Sequence, residues 1–110
     1  AYIVILHDAA CGGTPERAGT DTGICAQTML LGAVEKGLGG IMIGNFNPEA
    51  VRKALQLKDG LTPVLIVAVG RPDEKIVLTD VDASGSTAYW RDEQDVHHVP
   101  KRSLADLIVN

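Results

Sequence analysis

The sequence predicts a mixed chain, α/β or α+β, and three observations predict it. Two short apolar runs, Tyr2 to His7 and Thr62 to Val69, are rich in β-branched residues and bounded by turn formers, the signature of strands. Two stretches between them carry helix signals: an apolar segment ending at Gly37, and one opened by Asn47-Pro48-Glu49. Short strand-like runs and a final capped segment follow the second strand. The order strand, helix, loop, helix, strand, arm, helix belongs to a mixed class. The 110 residues suffice for a single domain, 1–110, with a modest core, and 45% hydrophobic content makes the chain globular.

Tyr2 to His7 reads as a buried strand ended by Asp8. Ala9 to Thr20 holds Gly12-Gly13, Pro15 and Gly19 and reads as loop. Asp21 or Thr22 caps a helix to about Lys36. Its residues Ile24, Ala26, Met29, Leu30, Leu31, Ala33 and Val34 cover most of the circumference, so it is expected to be central and packed on several sides. Gly37 supplies a left-handed stop, and Leu38 folds back onto the last turn. Gly39 to Phe46 reads as a glycine-rich connection. Asn47 as cap, Pro48 in the first turn and Glu49 beside it open a second helix, with Val51, Ala54 and Leu55 as one apolar stripe. Val64 to Val69 is wholly apolar, so both faces of that strand are expected to be covered. Ile76 to Val81 and Thr87 to Trp90 flank Ala83-Ser84-Gly85-Ser86 and read as an exposed hairpin or arm. Arg91 to Val96 is irregular. Ser103 caps a last helix through about Val109.

Charge and composition exclude several classes. Ten Lys and Arg against 14 Asp and Glu give a net charge of −4, which argues against nucleic acid as a partner. No apolar run approaches the roughly 20 residues that span a bilayer, and no signal peptide is visible. Cys11 and Cys25 form neither a CxxC pair nor a disulfide framework, so the cytoplasm is the expected compartment. The chain opens at Ala1, directly into an apolar run, as the middle of a longer protein would.

Two segments carry chemistry. In Val99-Pro100-Lys101-Arg102-Ser103-Leu104, two adjacent cations stand beside a helix start, an arrangement suited to a phosphate; solvated surface charge is the other reading. In Gly39 to Asn45, glycines at 39, 40 and 44 permit close backbone approach. Ile41, Met42 and Ile43 offer an apolar wall, and the Gly44 and Asn45 amides offer donors to a flat ring. A plain glycine-rich connection is the other reading. No GxGxxG follows a strand. The adjacent His97 and His98 diverge too far to share a metal, and no ligand has zinc-type spacing to them. His7 reads as core or surface, Cys25 as inert packing, Cys11 as the more reactive thiol, and Trp90 as an anchor for the arm. No nucleophile stands with its own base, so no side chain is expected to be catalytic, and any reaction is expected to fall to a cofactor.

Several segments then line up in order: Asp21-Thr22-Gly23 with Gln27; Leu30-Leu31 through Gly37-Leu38-Gly39-Gly40; Ile43-Gly44-Asn45-Phe46; Thr62-Pro63 into a strand ending at Gly70-Arg71-Pro72; Tyr89-Trp90-Arg91-Asp92; and His97-His98-Val99-Pro100-Lys101-Arg102-Ser103-Leu104. Together they resemble the carboxy-terminal half of the FMN-dependent nitroreductase family. The resemblance implies an α+β nitroreductase-like fold, a central sheet flanked by helices in an intertwined homodimer, with FMN at the subunit interface. It implies electrons passing from NADH or NADPH through FMN to nitroaromatics, quinones or similar small acceptors. It places Met42 and Ile43 near the flavin ring, the Gly44 and Asn45 amides at its N5/O4 edge, and Lys101 and Arg102 on the phosphate. The family's amino-terminal half, with an Arg-rich phosphate motif, has no counterpart here. Two further readings therefore stand beside the enzyme: a flavin-binding module without turnover, and a fragment inactive by itself.

Overall fold

A computed structural model describes residues 1–109. The chain forms two compact units, Ala1–Pro72 and the remainder from Asp73.

In the first unit, strand β1 (Tyr2–Asp8) leads through a 3-10 turn (Ala9–Cys11) to helix α1 (Gly19–Glu35). Strand β2 (Gly39–Ile43), helix α2 (Pro48–Leu55) and strand β3 (Leu61–Gly70) follow. The sheet order is β1-β3-β2, antiparallel throughout, which places the most apolar strand in the middle. The register with β1 shifts between Ile5 and Leu6, opposite Leu65 and Pro63. The irregularity adjoins the one residue of β3 that has no N–H to donate. Pro63 and Val67 are buried, Val67 completely, and Val64 to Ala68 are otherwise half-buried. The expected buried strand at Tyr2 to His7 is an edge strand, with Tyr2 and Ile3 exposed, because only β3 flanks it.

Gly39 to Ile43 is a strand rather than a loop. Ile41, Met42 and Ile43 pair with Ala68, Val67 and Ile66, and β-branched residues suit a pleated ladder better than a connection. A Cβ on Gly40 would lie 2.5 Å from the Ala68 carbonyl oxygen and 2.6 Å from Leu30 Cδ2. Glycine there lets α1 sit down on the sheet.

Helix α1 begins at Gly19, before the expected Asp21 or Thr22, and no side chain caps it. The turn at Thr14 feeds the helix instead: its carbonyl accepts the Ala18 amide, and the Ala18 carbonyl accepts the Thr22 amide. The C-terminus matches expectation. Gly37 has φ +70°, its amide donates to Val34, and the Leu38 amide donates to Ala33, both at 2.9 Å, a Schellman stop. Along α1 one stripe is covered, Thr22, Ala26, Leu30 and Ala33, at helical spacing. Ile24, Leu31 and Val34 are 61%, 63% and 66% exposed, and Cys25 is exposed too. Within this chain the helix is therefore packed on one side only, and the expectation of a buried, inert Cys25 is corrected.

Helix α2 has the expected cap: the Asn47 side chain accepts the Ala50 amide at 3.0 Å, with Pro48 at the start and Glu49 in the first turn. Of its expected stripe only Val51 is half-buried; Ala54 and Leu55 are exposed. Arg52 supplies the anchoring those residues do not, donating to the Leu61 carbonyl at 2.8 Å and to Asp59 at 3.2 Å.

In the second unit, strands β4 (Ile76–Asp80), β5 (Trp90–Arg91) and β6 (His97–Lys101) form a sheet of order β4-β6-β5. The expected hairpin of Ile76 to Val81 with Thr87 to Trp90 does not form. β4 instead pairs in parallel with β6, and β5 pairs antiparallel with it. The long stretch between Asp80 and His97 supplies the crossover that parallel pairing needs. Ser103 caps the last helix, α3, in a reciprocal box with Asp106, as expected of Ser103, but α3 spans only Leu104–Leu107. No helix among the described residues is long and apolar enough to cross a membrane.

Candidate functional site

The backbone from Met42 to Asn45 changes character at Ile43. The ladder with β3 ends there, and Gly44 and Asn45 are exposed beyond it. Among the described residues neither of their amides is hydrogen bonded. Two adjacent unpaired donors at the mouth of a rigid strand are positioned for an acceptor edge, and Gly44 carries no side chain to block it. Met42 and Ile43 are both half-buried, and strand alternation sends them to opposite faces of β2. One residue of the pair thus faces each side of the sheet, a separation that a reading of the run as a continuous apolar wall does not contain.

Lys101 ends β6, in register with Asp80 of β4, and its carbonyl accepts the Val81 amide at 3.2 Å. Arg102 follows in the short link to Ser103. Both side chains are exposed, and neither forms an ion pair among the described residues. The nearby Asp106 is occupied, accepting from the Ser103 hydroxyl at 2.7 Å and from its amide at 3.3 Å. Lys101 sits on the central strand of its sheet, which holds it more firmly than a loop would, and Arg102 follows directly from the end of that strand. Met42–Asn45 lies in the first unit and Lys101–Arg102 in the second.

The same strand carries two polar networks that sequence spacing did not reveal. His98 Nε2 lies 2.8 Å from the Asp92 carboxylate, and the imidazole stacks on Trp90, with centroids 4.0 Å apart and planes at 8°. Asp92 also accepts the Gln94 and Val96 amides at 3.0 and 2.9 Å, shaping the turn into β6. The bond from His98, and then that from the Val96 amide, hold the Asp92 carboxyl below the usual carboxylate range. On the other face His97 Nδ1 lies 3.3 Å from Glu74, which also binds the Arg91 guanidinium; Tyr89 meets the His97 ring edge-on at 5.0 Å. Arg91 first, and His97 after it, lower the Glu74 carboxyl, while Glu74 raises the Arg91 guanidinium. The two histidines face opposite sides of β6 and use different carboxylates. Among the described residues no group of three or more His, Cys, Asp or Glu could hold a metal. Trp90 anchors its segment by stacking on His98 and remains half exposed.

His7 is half-buried, and its Nε2 has no hydrogen-bond partner among the described residues. Cys11 is an exposed free thiol. Ser84 and Ser86 stabilise turns, Ser84 on Asp82 and Ser86 on Ser84 and Ala88. None of these assembles a nucleophile with a base. What the chain offers is donors and cations. A family model described as "Nitroreductase family" matches residues 3–71; it takes in Met42–Asn45 and ends before Lys101 and Arg102.

Proposed function

This chain belongs to the nitroreductase family, and from that premise we propose that it is an FMN-dependent NAD(P)H oxidoreductase that reduces nitroaromatic, quinone or similar small acceptors. The observation that carries the reading is the pair of unbonded amides at Gly44 and Asn45, at the end of a strand inside the family match. In the first unit two backbone N–H groups suit the heteroatom edge of a flavin ring; in the second, Lys101 and Arg102, unpaired among the described residues, suit a phosphate. FMN when bound would supply the hydride and electron chemistry.

The protein's part in this reading is to bind and orient. The amides of Gly44 and Asn45 stabilise negative charge at the ring edge they face, without reorganising, because the β2–β3 ladder holds the strand that leads into them. Of Met42 and Ile43, which face opposite sides of β2, the one on the ring's side packs against it. Lys101 and Arg102 hold the phosphate from the end of β6. A homodimer completes the reading, supported by the uncovered Ile24, Leu31 and Val34 on α1. The test is to mix purified protein with FMN and follow the flavin absorption on adding NADH or NADPH, then a nitroaromatic or a quinone. Bound flavin that bleaches and is reoxidised by the acceptor supports the proposal. Flavin that binds but is not turned over points to a binding module, and no flavin uptake overturns it.

A further inference from the structure

Lys101 does not stand alone at the end of its strand. In the parallel ladder its register partner is Asp80, the last residue of β4. Register partners on neighbouring strands, about 4.8 Å apart, project to the same face. The Val81 amide bonded to the Lys101 carbonyl closes this end of the ladder and keeps the two residues side by side. Both are exposed, and neither side chain has a hydrogen-bond or ion-pair partner within 4.0 Å among the described residues. The other acids nearby are occupied: Asp106 by Ser103, and Asp82 by the Ser84 amide and hydroxyl. Asp80 is thus the uncommitted carboxylate beside an uncommitted ammonium.

We propose that Asp80 is the built-in counter-ion of Lys101 and sets the strength of its grip on a phosphate ester. The inference rests on the flavin reading and adds a residue that works against binding. A carboxylate beside the ammonium offsets part of its charge. A phosphate monoester, with a charge of about −1.5 to −2, is still drawn to the ammonium. The carboxylate then remains close to the bound phosphate and repels it. Asp80 so keeps the anchor reversible.

The experiment titrates the protein with FMN and with riboflavin, which has the same ring and no phosphate, at low and high salt. Asp80→Asn is expected to tighten FMN about fivefold at low salt, the upper end of what an exposed charge pair contributes. That gain fades at high salt, and riboflavin affinity stays unchanged. Asp82→Asn removes the same charge two residues away and is expected to leave FMN affinity as it was. If Asp80→Asn binds FMN as the parent does while Lys101→Ala binds it more weakly, the counter-ion role is overturned and the flavin reading stands. Equal tightening by both Asn variants overturns it in favour of overall charge. If Lys101→Ala has no effect, or the protein takes up no FMN, the phosphate anchor itself falls, and this inference with it.

Discussion

Asp92 gathers more structure than any neighbour of its size: one carboxylate takes two turn amides and the His98 ring. Its carboxyl and that of Glu74 are both held below the ordinary range. A carboxyl whose value is lower folded than unfolded stabilises the fold fully above its unfolded value and loses that contribution as pH falls through the folded one. Unfolded Asp and Glu titrate near about 3.9 and 4.3, so the β4–β6 sheet is expected to weaken below about pH 4 and to be insensitive to these two groups above about pH 5. Trp90, the only tryptophan, is stacked on His98 and reports the change in its fluorescence. Asp92→Asn should lower the melting temperature at neutral pH and flatten its fall in acid; an unaltered acid profile would remove Asp92 from the account. At Gly40 the constraint is steric. An added Cβ meets a backbone oxygen at 2.5 Å, which cannot swing aside. Gly40→Ala is expected to cost about 1–3 kcal/mol in urea unfolding, the range of an overpacked contact.

At the scale of elements, three helix ends were legible, whereas the start of α1, expected at Asp21 or Thr22, lies at Gly19 with no side-chain cap, and burial was not legible. Asn47-Pro48-Glu49 announces α2, Gly37 ends α1, and Ser103 starts α3, because each signal acts within a turn of its own residue. Asn47→Ala is expected to cost about 1 kcal/mol of stability, measured by urea titration, with the rest of the sheet intact. Burial depends on what arrives from elsewhere. The all-apolar circumference of α1 implied cover on several sides, yet within this chain only the Thr22–Ala26–Leu30–Ala33 stripe is covered. Strand partners escaped for the same reason. Nothing local in Ile76 to Val81 distinguishes a neighbour 11 residues on from β6, because strand propensity carries no address. Val67 is the largest fully buried side chain among the described residues, and Val67→Ala is expected to cost about 2 kcal/mol, the loss of two buried methyl groups.

For the molecule as a whole, the exposed stripe of α1 bears on assembly. Leu31→Glu places a charge amid Ile24 and Val34 without touching the covered stripe, so the chain should still fold. In the proposed homodimer it shifts the protein to monomer in analytical ultracentrifugation, and a variant that stays dimeric would move the interface elsewhere. The sequence by itself determined the family, the mixed fold class, the capped helix ends and the two candidate segments, because those depend on residues close together in the chain. Only the tertiary structure decided that Gly39 to Ile43 is a strand, that the amides of Gly44 and Asn45 stand unbonded at its end, and that Asp80 lies beside Lys101. Each of these is a matter of pairing between segments 20 or so residues apart or more. Hydrogen-bond registers over such separations are chosen by the fit of whole strands, which no single motif records.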